Sequence, residues 1–142
     1  MYTAETADSF PLDEYDYVID AIDSLDNKAL LIRRACESSA TLFASMGAAL
    51  KMDPLKISVS EFWKVKGCPL AAALRRKFKK SKMFPSKKFK CVYSEELLEN
   101  KGLPPLDANG NPIRANGTIA HTTAIFGFTL AGLVIQDILK IQ

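Results

Sequence analysis

The chain has 142 residues, 48% of them hydrophobic and 25% charged, a balance that predicts a single globular domain and excludes a disordered chain. Its formal net charge is only +3, but residues 1–27 hold eight acidic and no basic side chains, whereas residues 62–94 hold eleven basic and no acidic ones. Ordinary surfaces mix both signs, so this asymmetry predicts an anionic partner for the basic part.

The first elements predicted in chain order form a βαβ unit. Residues 1–11 are expected to contain at most a short strand, and the apolar run Tyr17–Ala21 predicts a buried strand. Ser24 is expected to cap a helix that ends near Ser38, and Thr41–Ser45 predicts a second strand. Two strands joined by a helix in this way are almost always parallel, with a right-handed connection. The predicted fold class is therefore α/β.

The later elements are predicted from alternation, periodicity and composition. Residues 56–62 alternate as an edge or antiparallel strand, "PLAAALRRKFKK" has the period of an amphipathic helix, and residues 90–94 form a short strand. Residues 100–117 contain three prolines, three glycines and four asparagines, and are expected to be a flexible loop. Residues 122–141 are expected to form a mostly buried helix.

A membrane span is an alternative for this last helix, because residues 115–136 carry no formal charge. The same segment holds several polar side chains, and its strongly apolar part starts only at Ala124. It therefore falls short of the roughly 18 apolar residues that a span requires. A buried core helix is favoured, and no membrane partner is expected.

The three cysteines lie far apart and form no CxxC pair. This pattern argues against a disulfide framework or a zinc site, and it predicts a protein of the reducing cytoplasm. The acidic, polar start of the chain is not the pattern of a secretory signal. Cys68 precedes the amphipathic helix, and a helix N-terminus favours a nucleophilic thiolate, but packing is the favoured interpretation.

Two carboxylates lie at the carboxyl end of the first predicted strand, at the edge where α/β sheets bind ligands. Asp20 ends the strand and Asp23 precedes the helix, so Mg²⁺ and phosphates could be held there. Alternatively, Asp20 accepts a backbone hydrogen bond and Asp23 helps to cap the helix, and spacing alone slightly favours this alternative. Neither GxGxxG nor GxxxxGK[ST] occurs, so the chain alone is not expected to cradle a triphosphate.

The basic residues concentrate on the amphipathic helix and the loop after it. Phe78, Phe84 and Phe89 are interleaved with them and could stack on bases, as in proteins that bind single-stranded nucleic acid. The alternative is a solvated helix face whose phenylalanines pack inward, as Phe78 is expected to do in any case. The candidates for nucleic-acid contact are Arg75, Arg76, Lys79 and Lys80.

Five motifs, taken in order, resemble one known family. They are "YDYVIDAIDS", "SMGAALKMDP", "CPLAAALRR", "CVYSEE" and "TAIFGFTLAGLVI". They are similar to the tRNA threonylcarbamoyladenosine dehydratases, members of the adenylating superfamily that includes the ubiquitin-activating enzymes. The resemblance covers about residues 15–139 and corresponds to the second half of a typical member. It implies that residues 1–142 form one domain, the C-terminal half of a Rossmann-like ATP-binding fold with a parallel βαβ unit and added helices.

The resemblance also implies a reaction and a site. These dehydratases use ATP and Mg²⁺ to activate the threonine carboxylate of a modified adenosine in tRNA, and loss of AMP then closes a ring. By resemblance, Asp23 is the catalytic and metal-binding aspartate, and the partners are tRNA and a second copy of the chain. The residues expected at the nucleotide are Asp20, Asp23, Ser24, Ser45, Met46, Gly47 and Ala48.

Several family features are missing from the chain. The glycine-rich loop, the ribose-binding acid and the arginine and lysine that grip the phosphates belong to the first half of the family's proteins. We therefore expect a fragment that is inactive alone, although the full-length protein is an enzyme. Ala49 stands where many members have glycine, and Ser24 replaces the asparagine of the sulfur-carrier adenylyltransferases.

Two alternative functions remain open from the sequence. The first is a thiamine- or molybdopterin-type sulfur-carrier adenylyltransferase, which would need a sulfur-transfer protein as its partner. The absence of a paired CxxC zinc site favours the dehydratases over this branch. The second is a non-catalytic module that binds tRNA or a partner protein through the basic tract.

Overall fold

A computed structural model describes residues 1–113 and 115–140. Its helices and strands, in chain order, are β1 (Tyr17–Asp20), α1 (Leu25–Glu37), β2 (Thr41–Ser45), β3 (Ile57–Glu61), α2 (Pro69–Ser81), β4 (Lys90–Ser94) and α3 (Ala120–Ile138). Four short 3-10 turns lie at Ala7–Ser9, Leu12–Glu14, Pro54–Lys56 and Phe62–Lys64. The predicted α/β class is confirmed.

The four strands form one sheet in the order β1-β2-β4-β3. β1 pairs with β2 and β2 pairs with β4 in parallel, so β1, α1 and β2 form the predicted βαβ unit. β3 pairs with β4 in the antiparallel direction at the edge of the sheet, as its alternation predicts. The carboxyl ends of the three parallel strands therefore meet at one edge.

The helices cover the two faces of the sheet unequally. α1 and α2 pack on one face, where their apolar side chains and those of the strands form the larger core. α3 packs on the other face, where Phe126 and Leu130 contact a smaller cluster with Phe43 and Val92. The described residues therefore form three layers, and α3 alone forms the third.

The prediction that residues 122–141 form a mostly buried helix is wrong for most of α3. Only Thr122, Phe126 and Leu130 of this helix are buried, whereas Phe128 is 76% and Ile135 56% exposed. The buried residues are four positions apart, so a single stripe of the helix contacts the sheet. The last predicted position, residue 141, lies outside the described residues.

Two other segments differ from or extend the sequence prediction. Residues 1–11 contain no strand and form a 3-10 turn at Ala7–Ser9, because local backbone bonds from this turn to Thr3 and Thr6 replace strand pairing. In the predicted loop, the N–H groups of Asn109 and Asn111 both donate to Asp107 Oδ1 at 2.8 Å. The flexibility of this loop remains a prediction.

The loop before α2 requires glycine at one position. Gly67 has a φ of +66°, and a Cβ there would lie 2.9 Å from both the Cα and the carbonyl oxygen of Glu95. The left-handed conformation and the close approach both exclude a side chain. This contact places the loop before α2 against the chain that leaves β4.

Among the described residues, none of the helices combines the length and the apolar character that crossing a membrane would require.

Candidate functional site

A cleft of about 660 Å³ lies at the carboxyl edge of the sheet. Its first wall consists of the turn after β1 and the segment after β2, at residues 21–23 and 45–49. Its second wall consists of residues from 115–118 and the inward side of α3, and Leu70 of α2 closes one end. Parallel strands that end side by side are the usual position of ligand sites in α/β folds.

Five of the seven residues predicted at a nucleotide line this cleft, and two do not. Those that line it are Asp23, Ser45, Met46, Gly47 and Ala48. Asp20 and Ser24 lie outside the lining, for reasons that the local geometry explains. Ligand contact by any of the seven remains a prediction.

Asp20 is fully buried and has an internal partner. Lys28 Nζ lies 2.8 Å from Asp20 Oδ2, and both side chains are 0% exposed. The Ile22 N–H donates to Asp20 Oδ1 at 3.0 Å, and Lys28 also donates to the carbonyl oxygens of Ile22 and Ser45. Burial raises the pKa of the Asp20 carboxyl, and the Lys28 ammonium opposes this shift. The buried carboxylate argues against direct contact between Asp20 and a nucleotide.

Asp23, in contrast, is exposed at the cleft. It has no ion pair with any residue that the structure describes. The Asp23 carboxylate is therefore available to a ligand.

Ser24 occupies the N-cap position of α1, but its side chain makes no capping hydrogen bond. The prediction of a serine cap is therefore only partly right.

The segment after β2 is held in place by two backbone hydrogen bonds at Leu50. Leu50 adopts a left-handed conformation with a φ of +58°, which is uncommon for a residue with a side chain. Its N–H donates to the carbonyl oxygen of Gly117 at 3.1 Å, and its own carbonyl oxygen accepts from the Leu98 N–H at 3.0 Å. The first wall is thus bonded to the segment that leads into the second wall.

A buried lysine, Lys51, also holds the segment after β2 in place. Lys51 is 2% exposed, and its Nζ donates to the carbonyl oxygens of Ser94, at 2.9 Å, and of Glu96. The Thr122 hydroxyl of α3 donates to the Lys51 carbonyl oxygen at 3.3 Å. Burial lowers the pKa of the Lys51 ammonium. The side chain and the backbone of Lys51 thereby connect the segment after β2 to the end of β4 and the start of α3.

Sequence reasoning missed the second wall of the cleft. Asn116, Thr118 and Thr123 provide its polar groups, and Gly127 of α3 leaves space beside them. These residues are about seventy positions from the end of β2. The only sequence signal for this wall is the run of polar residues before the apolar part of α3. The same residues argue against a membrane span, but they do not indicate that the run lies at a cleft.

The described lining of the cleft carries only negative charge. Asp23 is the only charged residue among the described residues that line it, and none of these is lysine or arginine. Within the described ranges, no group of three or more His, Cys, Asp or Glu side chains could hold a metal ion. The described lining residues therefore offer one carboxylate, backbone groups and small side chains, and none of them is a cation for a phosphate.

The four predicted nucleic-acid contacts fall into two groups. Arg76, Lys79 and Lys80 are exposed or at the solvent side of α2. Arg75 has an internal role, because its Nη1 donates to the Phe62 carbonyl oxygen at 3.2 Å and its guanidinium lies 5.9 Å from the Phe62 ring centre.

The aromatic residues interleaved with the basic tract differ in the same way. Phe78 and Phe89 are buried, at 2% and 5% exposure, whereas Phe84 is 51% exposed. Phe78 therefore packs inward as expected, base stacking by Phe89 is excluded by its burial, and stacking by Phe84 remains a prediction. The three cysteines are also buried, and burial raises the pKa values of the Cys36 and Cys91 thiols. Cys68 is 3% exposed and packs in the larger core, which supports its packing role.

The chain is similar in sequence to curated tRNA threonylcarbamoyladenosine dehydratases. It is 34% identical to the enzyme of Haemophilus influenzae over 134 residues, which cover 89% of this chain and 51% of that protein. It is 28% identical to the enzyme of Bacillus subtilis over 147 residues, which cover 99% of this chain and 57% of that protein. No protein-family model matches the chain. The chain thus spans about half the length of these relatives.

The structure is also similar to the solved structure of a tRNA threonylcarbamoyladenosine dehydratase. The Escherichia coli tRNA N6-threonylcarbamoyladenosine dehydratase in complex with ATP superposes with a TM-score of 0.79 and 29% sequence identity, covering 99% of this chain and 54% of that one. The same enzyme in complex with AMP gives a TM-score of 0.80. These similarities confirm the resemblance read from the five motifs and the Rossmann-like fold that it implied.

Proposed function

We propose that this homologue of the tRNA threonylcarbamoyladenosine dehydratases supplies part of an ATP-dependent adenylating site that activates the threonine carboxylate of threonylcarbamoyladenosine in tRNA. The observation that carries the proposal is the cleft at the carboxyl edge of the sheet, with Asp23 exposed in it. Solved relatives with the same fold are complexes with ATP and AMP. Because the chain spans about half of these proteins, it forms the C-terminal half of such a site in this proposal.

The residues present fit part of a magnesium–nucleotide site. Mg²⁺ is held in many proteins by one or two carboxylates together with substrate phosphates, and Asp23 offers one such carboxylate. Ser45, Gly47 and Ala48 provide backbone groups and space, and the apolar side chains of Leu70 and Phe126 can exclude water. Bound ATP would supply the AMP group that activates the carboxylate.

The absence of lysine and arginine from the described part of the lining supports a shared site. A triphosphate needs lysine, arginine or clustered backbone N–H groups, and no described lining residue is lysine or arginine. We therefore expect this chain alone to show no micromolar affinity for Mg-ATP in isothermal titration calorimetry. Micromolar binding by the isolated chain would contradict the proposal that half of the site lies elsewhere.

The role of Asp23 is testable in a full-length protein that contains this chain. Asp23→Asn keeps the shape of the side chain but removes the charge, so AMP formation should fall by about a hundredfold or more, as when one electrostatic group is removed from an active site. Asp26→Asn is the matched control, because Asp26 is an exposed carboxylate outside the cleft. Equal AMP formation by the two variants would exclude Asp23 from catalysis.

The tRNA part of the proposal is supported by the charges on α2. Arg76 and Lys80 are exposed on one side of this helix and lie four residues apart. Reversing both charges to glutamate should weaken tRNA binding and lower the slope of log affinity against log salt by about 0.7–0.9 per lost phosphate contact. The same double reversal at exposed Lys101 and Lys140 is the control. Equal losses in the two variants would leave α2 as an ordinary solvated face.

The homodimer remains part of the proposal, with α3 as its surface. Ile135 and Ile138 are 56% and 60% exposed, although both are large and apolar. Ile135→Ser with Ile138→Ser should convert a dimer to a monomer in light-scattering measurements. Leu55→Ser with Leu103→Ser is the control, because these leucines are 91% and 96% exposed elsewhere. A wild-type monomer at high concentration would contradict this proposal.

A cytoplasmic location belongs to the same proposal. The three cysteines are free and buried, which is common in proteins of reducing compartments. A sulfur-transfer protein as a partner remains a prediction from the related branch of the superfamily.

A further inference from the structure

An exposed aromatic pair lies beside the basic helix α2. Trp63 and Phe84 are 37% and 51% exposed, and their ring centres are 6.1 Å apart with an angle of 45° between the planes. Large aromatic side chains bury well in ordinary cores, so two neighbouring rings that both reach solvent are informative. They offer an apolar, polarisable surface, and both belong to residues 62–94, the part of the chain that contains no acidic residue.

The position of Trp63 is fixed by the core beneath it. Its ring is 5.1 Å from that of Phe62 and 6.5 Å from that of Phe78, both of which are buried. Its backbone N–H donates to the side chain of Glu61 at 3.1 Å. Because the indole is held by packing on its inner side, little conformational freedom remains to be lost when a flat ligand covers its outer side.

Cationic side chains lie beside Trp63 on the surface. A shallow depression of about 550 Å³ beside Trp63 is lined by Lys64, Lys66 and Arg75. Lys79 follows Arg75 by four residues on α2, so the two share one side of the helix, and Arg75 points to Phe62 and therefore to the turn that carries Trp63. A ring surface with lysines at its edges is the arrangement with which proteins hold unpaired nucleotides, because the rings stack on a base while the cations follow the phosphates.

One acidic side chain lies in the same depression. Glu95 also lines it, and this carboxylate would repel a phosphate. Removing the charge of Glu95 should strengthen the binding of any polyanion to this surface, so a Glu95 variant tests whether polyanions bind here. An acidic peptide would respond to Glu95 in the same way, but it would not require the aromatic rings.

We infer that Trp63 and Phe84 form a stacking platform for an unpaired nucleotide of an RNA, with Lys64, Lys66 and Lys79 as phosphate contacts. The inference rests on the proposed function, since a tRNA substrate would supply such a nucleotide from a loop. It keeps Phe84 from the three phenylalanines that the sequence offered for base stacking, and it adds Trp63, which the sequence analysis did not name. Single-stranded RNA should therefore bind better than a duplex of equal charge.

Trp63 is the chain's single tryptophan, so its fluorescence reports on the platform directly. We expect a short single-stranded RNA to quench the emission of the whole chain, and a duplex of the same number of phosphates to bind with little quenching. Quenching of equal size by the duplex, or binding of the single strand without quenching, would overturn the inference. If a polyglutamate peptide quenches as strongly as RNA, the surface recognises acidic peptides instead.

Substitutions separate stacking from charge. Trp63→Leu and Phe84→Leu keep an apolar side chain over the core and should each weaken single-stranded RNA binding about 5- to 100-fold in fluorescence anisotropy with a labelled RNA. Glu95→Gln should strengthen binding at low salt. Unchanged affinity in both aromatic variants would contradict the platform.

Phe10→Leu is the matched control for these variants. Phe10 is 37% exposed like Trp63, and its ring centre lies 5.3 Å from that of Tyr2, but this pair belongs to the acidic part of the chain. Circular dichroism of all variants tests their folding, and Phe84→Leu serves alone if Trp63→Leu unfolds. AMP formation by a full-length protein is measured separately, so loss of RNA stacking and loss of adenylation are distinguishable results.

Discussion

On one face of the sheet, α1 and α2 bury nearly every apolar side chain that they direct inward, including Ile32, Ala35 and Leu74 at 0% exposure. On the other face, α3 buries one stripe, and apolar side chains remain exposed both on this helix and on the outer strands. Ile19 of β1 is 43% and Val59 of β3 is 40% exposed. The first face holds a complete core, whereas the second keeps apolar side chains exposed on its helix and on its outer strands.

The largest expected effect is on the first face, at the buried ion pair. Asp20→Ala leaves the Lys28 ammonium buried without its counter-charge, which should lower the free energy of unfolding by about 3–5 kcal/mol. Urea denaturation measures this change. Asp26→Ala removes the exposed contact of α1 with Lys77 (2.5 Å) and should cost less than about 1 kcal/mol. Similar losses in the two variants would show that the burial of the pair contributes nothing.

The two faces can be compared directly with apolar truncations. Leu74→Ala should cost about 2–5 kcal/mol because it leaves a cavity between α2 and the sheet. Phe128→Ala removes a larger side chain from α3, but the ring is 76% exposed, so the cost should stay within about 0.5 kcal/mol. Thermal and chemical denaturation of both variants at low protein concentration test the prediction. A cost for Phe128→Ala close to that for Leu74→Ala would mean that the second face is also closed.

A smaller effect is expected where the second face meets the cleft. Lys51→Met keeps the length of the side chain but leaves the Ser94 and Glu96 carbonyl oxygens without their donor. One unsatisfied buried acceptor costs about 1–3 kcal/mol, so unfolding by urea should shift accordingly. Hydrogen exchange of the Leu98 N–H, which donates to Leu50, should also become faster in this variant. Unchanged exchange would show that Lys51 does not fix the wall of the cleft.

The smallest effect is a pH dependence at the same place. The N–H groups of Asp53 and Met52 donate to Glu96 and hold its pKa below the ordinary value of 4.5. A lowered folded pKa means that the stabilisation is present above the unfolded value and is lost as the pH falls through the folded one. Glu96→Gln should therefore flatten the decrease in urea midpoint below about pH 4.5. Glu99→Gln, a change at an exposed neighbour, is the control, and an identical acid limb in all three proteins would contradict this role.

Elements that depend on local sequence were predicted well. The strand at Ile57–Glu61 depends on alternation, and the helix from Pro69 depends on helical period and a proline in the first turn. All of these signals act within a few residues. The exposure of α3 was not predictable, because an apolar helix has the same composition whether a second layer covers it or not. The partner of Asp20 was also missed, since Lys28 looks in sequence like any lysine of an amphipathic helix.

The cleft shows the same division. Asp23 and residues 45–48 could be placed at neighbouring strand ends because parallel strands that flank one helix must end at the same edge. The wall formed by Asn116 and Thr118 depends on where α3 crosses the sheet, and this crossing is set by contacts between residues about eighty positions apart. Such tertiary contacts leave no periodic signal in one sequence.

The Lys28 ammonium has a consequence for which structures the chain can form. It needs the Asp20 carboxylate from β1 and the Ser45 carbonyl oxygen from β2 at the same time, with Asp20 opposite Ala44 in the ladder. A slip of β2 by one residue would move that carbonyl about 3.3 Å and leave a buried charge without its acceptor. The buried lysine therefore favours the observed alignment of β1 and β2 over a shifted one. The strand ends that form the first wall of the cleft lie side by side only in this alignment.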